Sequence, residues 1–502
     1  MELSQIKDLI DNYAELKRLI ILSKENGQFY GQYTVFNQQG QDGSFRYSYQ
    51  NEYNALRHDI TDRGKRPDKL VYFDDPESTA ETPRQLSRVE TVSRLVIPLQ
   101  RMIVSRAAAF LCGKPIQLNA EPANPKEQDM YDLVKKTWDD NKLDFESKRL
   151  AKIMMSETEV AELWYNEEVG PEFWANTPNS SSTYTIDGKT SSGPAKLKLR
   201  MKVLANKYGD LLYPVFNNAA DMVAFGRQYS IHLGDATKQQ HFDIYTDDEI
   251  YYGENNNGIW NVTSEINIIG KIPVIYYSQE LPEWAEVQFM IDRLEKLVSN
   301  HADTNDYNGS PMLKVTGDVK GFSKKGEAGK IIELENGGDA QYLDWKGAPE
   351  SIKMEYLNLR SLIFDMTDTP DISFEQMSKI GKVTSGIALK MLFLSAHMKA
   401  ADKEENFGKS VQRRINYIKY AMSKINLQQA PGLSIKISPK FEFFLPNNDT
   451  ETIQDIATAR SAGIISQETA VTRNPLIEDS EGEYQKLKDE ANNELVNQSN
   501  IL

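Results

Sequence analysis

The sequence predicts an α+β protein that carries a stalk of two helices. Three observations lead to this prediction. Apolar residues recur at helical spacing in residues 83–156 and again in 384–425. Residues 157–277 instead form short alternating segments typical of strands. A third block, 308–349, has strand character and is inserted between two helical stretches. Helices and strands thus fall in separate blocks, as in α+β domains.

The region before the stalk begins with 85 residues that combine a helix with polar, Tyr- and Gln-rich sequence. A helix is then expected over 83–111, with a kink or break at Pro98 because proline disrupts a helix interior. Two more helices are expected at 125–140 and 143–156, and the Ser/Thr-rich stretch 176–194 is expected to be a loop. Strands are predicted at Val160–Tyr165, Leu197–Leu204, Ile231–Leu233, His241–Tyr245, Ile250–Tyr252 and Ile272–Tyr277.

The predicted stalk consists of a helix over Glu283–Asp306 and a second helix from Pro349 to Met366. Helices that leave the body of a protein have little of their own domain to pack against. We therefore expect the apolar stripe of the first helix to contact a neighbouring subunit, the other interpretation being an ordinary core face. The stripe consists of Val287, Met290, Ile291, Leu294, Leu297 and Val298. Three strands are predicted between the two helices, at Met312–Thr316, Lys330–Leu334 and Gln341–Trp345.

The region after the stalk begins at Pro370, which ends the second helix. The segment 371–382 is predicted to be a loop that leads into a long helix over Thr384–Ile425, with a bend near Gly408. Residues 433–444 alternate as a strand does, and the acidic tail from Asn447 onward is helical.

The composition indicates a soluble protein made in a reducing compartment. Cys112 is the single cysteine, so no intramolecular disulfide can form. No run approaches the roughly 20 apolar residues of a membrane span, and the charged, amphipathic N-terminus does not resemble a signal peptide. The formal net charge of −15 argues against tight DNA binding, but not against a surface that DNA slides past.

The motifs of the common enzyme classes are missing. Ile331 follows Gly329-Lys330 where a phosphate loop needs Ser or Thr, and Gln376 stands where the loop ending in Gly381-Lys382 needs glycine. The five histidines lack HExxH spacing, one cysteine cannot build a structural zinc site, and no G-x-S-x-G elbow occurs. We therefore expect no enzymatic activity, no cofactor and no metal, although adjacent acids such as Asp74 and Asp75 could hold a divalent cation instead of being merely solvated.

Four stretches resemble one family when they are taken together. They are VIPLQRMIVSRAAAFLCGKPIQL (96–118), IIGKIPVIYYSQE (268–280), TPDISFEQMSKIGKVTSGIALKMLF (369–393) and FLPNNDTETIQDIATARSAGIISQETAVTRNPLIEDSEGEYQKLKDE (444–490). The family they resemble is the portal proteins of tailed bacteriophages, in particular the siphophage type with wing, stem, clip and crown. The first 85 residues have no clear counterpart in that family.

This resemblance implies a portal fold. Its parts would be an N-terminal region and wing (1–280), stem helices (281–307 and 350–370), a clip (308–349), a tunnel loop (371–383), a long inner helix with a return strand (384–446) and a crown (447–502). The subunits would form a twelve-fold ring, or a thirteen-fold ring in isolation, at one capsid vertex of the virion. The ring would be assembled in the host cytoplasm and would not associate with a membrane.

The resemblance also implies partners. The ring would conduct double-stranded DNA, without sequence specificity, during genome packaging and ejection. The large terminase subunit would dock at the clip, and head-completion or adaptor proteins would later bind the same end. Major capsid and scaffolding proteins would surround the ring. The runner-up interpretation is another virion structural or connector protein that does not contact DNA, but it does not explain a β module inserted between two stem helices.

Two groups of residues are candidate sites under this resemblance. The tunnel loop, Ser378, Lys379, Ile380, Gly381 and Lys382, would project into the channel, where its two lysines could contact DNA phosphates or pair with acids of a neighbouring subunit. Twelve copies of an acidic chain would give the channel a wall that repels phosphates and keeps the duplex centred. Lys379 and Lys382 would be positive charges in that acidic surrounding. The clip lysines Lys320, Lys324, Lys325 and Lys330 could serve docking, solvated turns being equally plausible.

Overall fold

The computed structural model describes residues 52–74, 85–186, 189–217, 219–233, 237–256, 259–308, 312–317, 319–322, 332–334, 338–343, 348–371, 393–442, 449–477 and 479–499. The chain divides into two compact units. The first comprises Met1–Thr369 and Lys399–Glu442, and the second comprises Pro370–Met398 and Phe443–Leu502.

The described residues contain helices that closely follow the predicted helical segments. They are α1 (Leu99–Leu111), α2 (Pro125–Asp140), α3 (Leu143–Glu157), α4 (Gln288–Asn308), α5 (Ala348–Met366), α6 (Leu394–Ile425), α7 (Asp449–Ser461), α8 (Gln467–Thr472) and α9 (Ser480–Ser499). The α6 helix is continuous through Gly408. Asn124 caps α2 by accepting a hydrogen bond from the backbone of Glu127, and Pro125 occupies the first turn, where proline is tolerated.

Strands occupy separate blocks of the chain, which confirms the α+β class. They are β1 (Lys69–Asp74), β2 (Gln85–Glu90), β3 (Gln117–Ala120), β4 (Glu159–Glu168), β5 (Ser182–Ile186), β6 (Lys189–Gly193), β7 (Leu197–Leu204), β8 (Leu211–Phe216), β9 (Met222–Leu233), β10 (Thr237–Tyr245), β11 (Glu249–Asn256), β12 (Ile259–Ile266), β13 (Val274–Ser278), β14 (Met312–Thr316), β15 (Val319–Phe322), β16 (Ile332–Leu334), β17 (Asp339–Leu343) and β18 (Ile437–Lys440).

Two antiparallel sheets form the centre of the first unit. A three-stranded sheet has the order β13-β4-β7, and a five-stranded sheet has the order β12-β11-β10-β9-β8. A cluster that includes Leu163, Leu204, Phe225 and Tyr276 joins their inner faces. Because this cluster draws on both sheets, the region 159–278 packs as one body.

Several strands differ from the prediction. β8 contains Pro214, which weakens the strand pattern, but β8 lies at a sheet edge where proline is tolerated. β12 is the opposite edge, and most of its side chains are exposed, so it lacks a strong apolar alternation. The predicted loop 176–194 contains the hairpin of β5 and β6, and the inserted block contains a fourth strand, β15.

The helix predicted over 83–111 is wrong in its first part. Residues 85–90 form β2, which pairs with β1 in register Leu70 to Val89, and an extended segment then leads to Pro98. Pro98 occupies the N-cap position of α1 instead of a kink inside a longer helix. The spacing of Val89, Val92, Val96 and Leu99 fits a helix, but pairing with another strand decides the outcome.

Candidate functional site in the stalk and its supports

The stalk consists of α4 and α5, which run antiparallel. Arg293 of α4 pairs with Glu355 of α5 at 2.7 Å. Lys399 Nζ contacts both Glu283, ten residues before Arg293, and the carbonyl oxygen of Thr367. Thr367 lies twelve residues after Glu355. The start of α4 therefore lies beside the end of α5, as two helices joined by an inserted module require.

The apolar stripe of α4 is mostly covered by the chain itself. Val287, Ile291, Leu294 and Leu297 are buried in the single chain, whereas Met290 and Val298 are only partly buried. The covering elements include α5 and the short 3-10 helix Asp59–Thr61. Packing within the chain therefore favours the core-face interpretation for these four residues, and contact of the stripe with a neighbouring subunit stays a prediction.

An exposed apolar face lies instead on α5. Its members are Met354, Leu357, Leu362 and Met366, each about half exposed or more. At 100° per residue these four side chains are spread over about half of the helix circumference, and the exposed polar residues Asn358, Ser361 and Asp365 lie between them. Exposed apolar residues grouped on one face are typical of interaction surfaces. No sequence signal pointed to this surface, because exposed apolar residues of a helix have the same spacing as buried ones.

An extended segment, residues 92–97, is attached along α4 by backbone-to-side-chain hydrogen bonds. The amide of Ile97 donates to Glu295 at 2.8 Å, and that of Leu95 donates to Ser299 Oγ at 2.9 Å. The amide of Ser93 donates to Asp303 at 2.7 Å. Four residues of a helix rise about 6 Å, and two residues of an extended chain span about 6.6 Å. Every second amide of the segment therefore lies beside every fourth residue of α4. Polar residues spaced by four on α4 were the sequence signal for this contact.

Arg66 strengthens the same attachment. Its guanidinium binds Asp303 at 2.8 Å and Asn300 at 2.8 Å, and its Nε donates to the carbonyl oxygen of Ser93 at 3.0 Å. Burial alone would raise the pKa of Asp303, but the hydrogen bonds from Ser93 and the charge of Arg66 outweigh it and lower the pKa. The segment before β1 is thus fixed to the far end of α4.

A buried acid–histidine cluster lies at the near end of α4. His58 Nδ1 contacts Glu295 Oε1 at 2.7 Å, and Trp284 Nε1 donates to Glu52 at 2.8 Å. Burial raises the pKa of Glu52 to about 7 despite the Trp284 hydrogen bond. Burial lowers the pKa of His58, but the bond to Glu295 outweighs it and the net pKa lies above the usual value.

Two lysines of α6 meet one buried carboxylate at the base of the stalk. Glu283 contacts Lys399 at 2.8 Å and Lys403 at 2.6 Å, and Lys403 also donates to Gln279. Burial alone would raise the pKa of Glu283, but the two ammonium groups outweigh it and lower the pKa. Through Glu283 and Thr367, these contacts attach α6 to the residues just before α4 and just after α5.

The centre of the first unit holds a second buried ion pair. Arg414 of α6 binds both carboxylate oxygens of Glu162 on β4 and donates to Tyr277 at 2.9 Å and to Ser147 at 2.8 Å. Trp164 Nε1 also donates to Glu162, at 3.1 Å. Both charged side chains are fully buried. The pair thereby attaches α6 to the three-stranded sheet and to α3.

The other predicted site residues can be placed only in part. The tunnel loop, Ser378 to Lys382, lies outside the described residues, as do Lys324, Lys325 and Lys330. The backbone of Lys320 lies in β15, which pairs antiparallel with β16, while β14 pairs with β17. Neither the DNA-contact prediction nor the docking prediction is tested by this placement.

Metal binding, membrane spanning and thiol chemistry can each be checked in the described part of the chain. It contains no group of three or more His, Cys, Asp or Glu side chains placed to hold a metal ion. Nor does any helix within it combine the length and apolar character needed to cross a bilayer. Cys112 is buried, and burial raises the pKa of its thiol to about 12, so it is a poor nucleophile.

Comparisons with known proteins point to one family. Residues 44–495 match the family model described as phage portal protein, SPP1 Gp6-like. The portal protein of Bacillus phage SPP1 is 23% identical over 318 residues, which cover 57% of this chain and 60% of that relative, less than two thirds of its length. A solved chain from the virion of a native gene transfer agent particle is 12% identical to this chain. The match covers 74% of this chain and 86% of the solved chain, but its TM-score of 0.32 is too low to support a structural argument. Because the family model extends over most of the chain, this protein belongs to the SPP1 Gp6-like family of phage portal proteins.

Proposed function

We propose that this chain is the subunit of a twelve-fold portal ring that conducts double-stranded DNA during genome packaging and ejection. The observation that carries the proposal is the family match over residues 44–495. The family is a structural one and not a family of enzymes, which confirms the prediction made from the missing catalytic motifs. Membership also makes the chain a component of the virion.

The stalk supports the proposal through its surfaces. Most of the apolar stripe of α4 is buried within the chain, although Phe289 is 65% exposed, and α5 exposes Met354, Leu357, Leu362 and Met366. In a closed ring every subunit offers the same two surfaces to its neighbours, so an exposed face of α5 supplies one half of a contact that repeats around the ring. We assign the inter-subunit contact of the stem to this face of α5.

The channel function depends on residues 371–383 as the tunnel loop. An acidic ring would repel DNA phosphates and leave the duplex centred, since each phosphate contact adds affinity and opposes sliding. Lys379 and Lys382 would supply contacts at one level of that channel. The clip, residues 308–349, would receive the large terminase subunit during packaging and the head-completion proteins afterwards.

The first test is the mass of the purified protein in solution. Twelve copies of 57.1 kDa make a ring of about 685 kDa, which mass photometry distinguishes from a monomer. Negative-stain class averages of that species should show a central hole. A large closed assembly with no axial channel would contradict the portal function and favour a virion structural protein that does not contact DNA.

A second test addresses the loop lysines. Replacing Lys379 and Lys382 with alanine should lower DNA packaging while leaving the ring intact. The matched control replaces Lys436 and Lys440, two exposed lysines on or beside β18, with alanine. Equal packaging by both double variants would remove the DNA-contact role.

The docking role of the clip has its own test. Deleting residues 314–344 should abolish binding of the large terminase subunit to the ring without unfolding the two central sheets. Retained terminase binding by the deletion variant would show that docking uses another surface.

A further inference from the structure

The β1–β2 ribbon is a two-stranded element with apolar side chains in solvent. Its strands pair antiparallel from Lys69 opposite Glu90 to Asp74 opposite Gln85. Leu70, Tyr72 and Val89 are 50%, 58% and 66% exposed, and Phe73 and Leu86 are also exposed. Successive residues of a strand point to opposite faces, so both faces of the ribbon carry exposed apolar groups.

An isolated two-stranded ribbon is at best marginally stable in water and needs a third strand or a packing partner. In this chain the ribbon pairs with no further strand among the described residues. Its base is nevertheless well fixed: Arg94 binds Asp68 at 2.8 Å, and Asp68 also accepts from the amide of Val92 at 3.2 Å. Since Arg66 and Ser93 bind Asp303 of α4, the ribbon starts from a defined point on the stalk.

We propose that the β1–β2 ribbon is an arm that packs on the exposed apolar face of α5 in the adjacent copy of this chain. This inference rests on the ring proposed above. Both surfaces expose several apolar side chains, which would leave water if the two packed together. They also match in length: six strand residues extend about 20 Å, and the twelve residue steps from Met354 to Met366 rise about 18 Å along α5.

The charges of the ribbon favour a protein partner over DNA. Its strands contain two cations, Lys69 and Arg88, and two anions, Asp74 and Glu90, and therefore carry no net charge. DNA binding depends on a surplus of cations, which this ribbon lacks. Each chain carries one ribbon and one α5 surface, and such head-to-tail contacts form a ring when the rotation between neighbouring subunits closes.

Disulfide cross-linking between two separate chains tests the contact directly. One chain carries Val89→Cys and the other Leu357→Cys, and the two are mixed during ring assembly. Buried Cys112 is retained in both. We expect a covalent dimer after mild oxidation of the mixed rings and none from rings of either variant alone. The control pairs Val89→Cys with Ile259→Cys, a site 71% exposed on the edge strand β12, and should give no dimer.

A charge introduced on the ribbon provides a second measurement. Val89→Asp should shift the mass distribution from rings toward single subunits at least tenfold, whereas Ile259→Asp should leave it unchanged. Both positions are exposed, so neither substitution should unfold the chain.

The outcomes separate the two proposals. The arm proposal is wrong, and the ring proposal is unaffected, if Val89→Asp forms rings normally and the mixed cysteine variants give no cross-linked dimer. A cross-link found only when both cysteines lie in one chain also overturns the arm proposal, because the ribbon then packs on its own α5. An unaltered chain that forms no ring overturns the proposed function instead.

Discussion

Replacing Arg414 with methionine should sharply destabilise the attachment of α6 to the three-stranded sheet. The substitution removes the guanidinium from a fully buried pair and leaves the carboxylate of Glu162 with the Trp164 and Tyr277 donors only. Breaking a buried pair by removing one partner costs about 3–5 kcal/mol. That range corresponds to a rise of roughly two to four powers of ten in the population of the opened state.

Hydrogen–deuterium exchange measures this opening locally. Peptides covering residues 159–168 of β4 and 405–420 of α6 should exchange faster in Arg414→Met by that factor, once exchange is limited by the opening equilibrium. Arg149→Met is the matched control: this arginine also binds a carboxylate, Glu146, and a tyrosine, Tyr208, but it is exposed. Exposed ion pairs contribute about 1 kcal/mol or less, so the control should change exchange little.

A double variant distinguishes the buried charge from lost packing. Adding Glu162→Gln to Arg414→Met removes the second charge while the amide still accepts hydrogen bonds from Trp164 and Tyr277. We expect this double variant to recover much of the lost protection. The reasoning is refuted if Arg414→Met exchanges no faster than Arg149→Met, or if the double variant is as unprotected as the single one.

Two further predictions concern the stalk supports. Because the pKa of Glu52 is about 7 in the fold against 4.5 for the free group, local stability near α4 should fall as pH rises from 4.5 through 7. The raised pKa of His58 adds stability that is present below its unfolded pKa and is lost as pH rises further. Glu52→Gln should weaken the dependence of the opening free energy of residues 52–60 on pH, measured by hydrogen exchange corrected for intrinsic rates. An unchanged pH dependence would show that Glu52 is not its source. Replacing Lys399 and Lys403 together with methionine should lower the thermal unfolding midpoint by more than the sum of the single effects, because only the double variant leaves Glu283 buried without a cation. Strict additivity would show that each lysine acts alone.

Local elements could be read from the sequence because their signals lie within short windows. The predicted boundaries of α2 and α3 lie within one residue of the structure, and those of β7 and β14 coincide with it. Each of these segments has a clear period, a capping residue or a flanking turn. Pro98 shows the limit of such reading, since its effect on the chain depends on whether the preceding residues form a helix or a strand.

Pairing between distant segments could not be read in the same way. The sequence predicts a helix across β2 because Val89, Val92, Val96 and Leu99 continue the helical spacing of α1 toward the N-terminus, and only pairing with β1 decides otherwise. The stripe of α4 was assigned to a neighbouring subunit, but packing within the chain buries Val287, Ile291, Leu294 and Leu297. An apolar stripe predicts that a face is covered, and it contains no information about which element covers it.

The sequence by itself determined the α+β class, the two stalk helices with their β insertion, and the resemblance to portal proteins that the family match confirms. Only the tertiary structure decided the partners of the polar groups that support the stalk. His58 meets Glu295 across 237 positions, and Arg414 meets Glu162 across 252. Periodicity depends on neighbours a few residues apart, whereas these contacts depend on how the whole chain packs around them, because a charge can be buried only where its partner is brought to it.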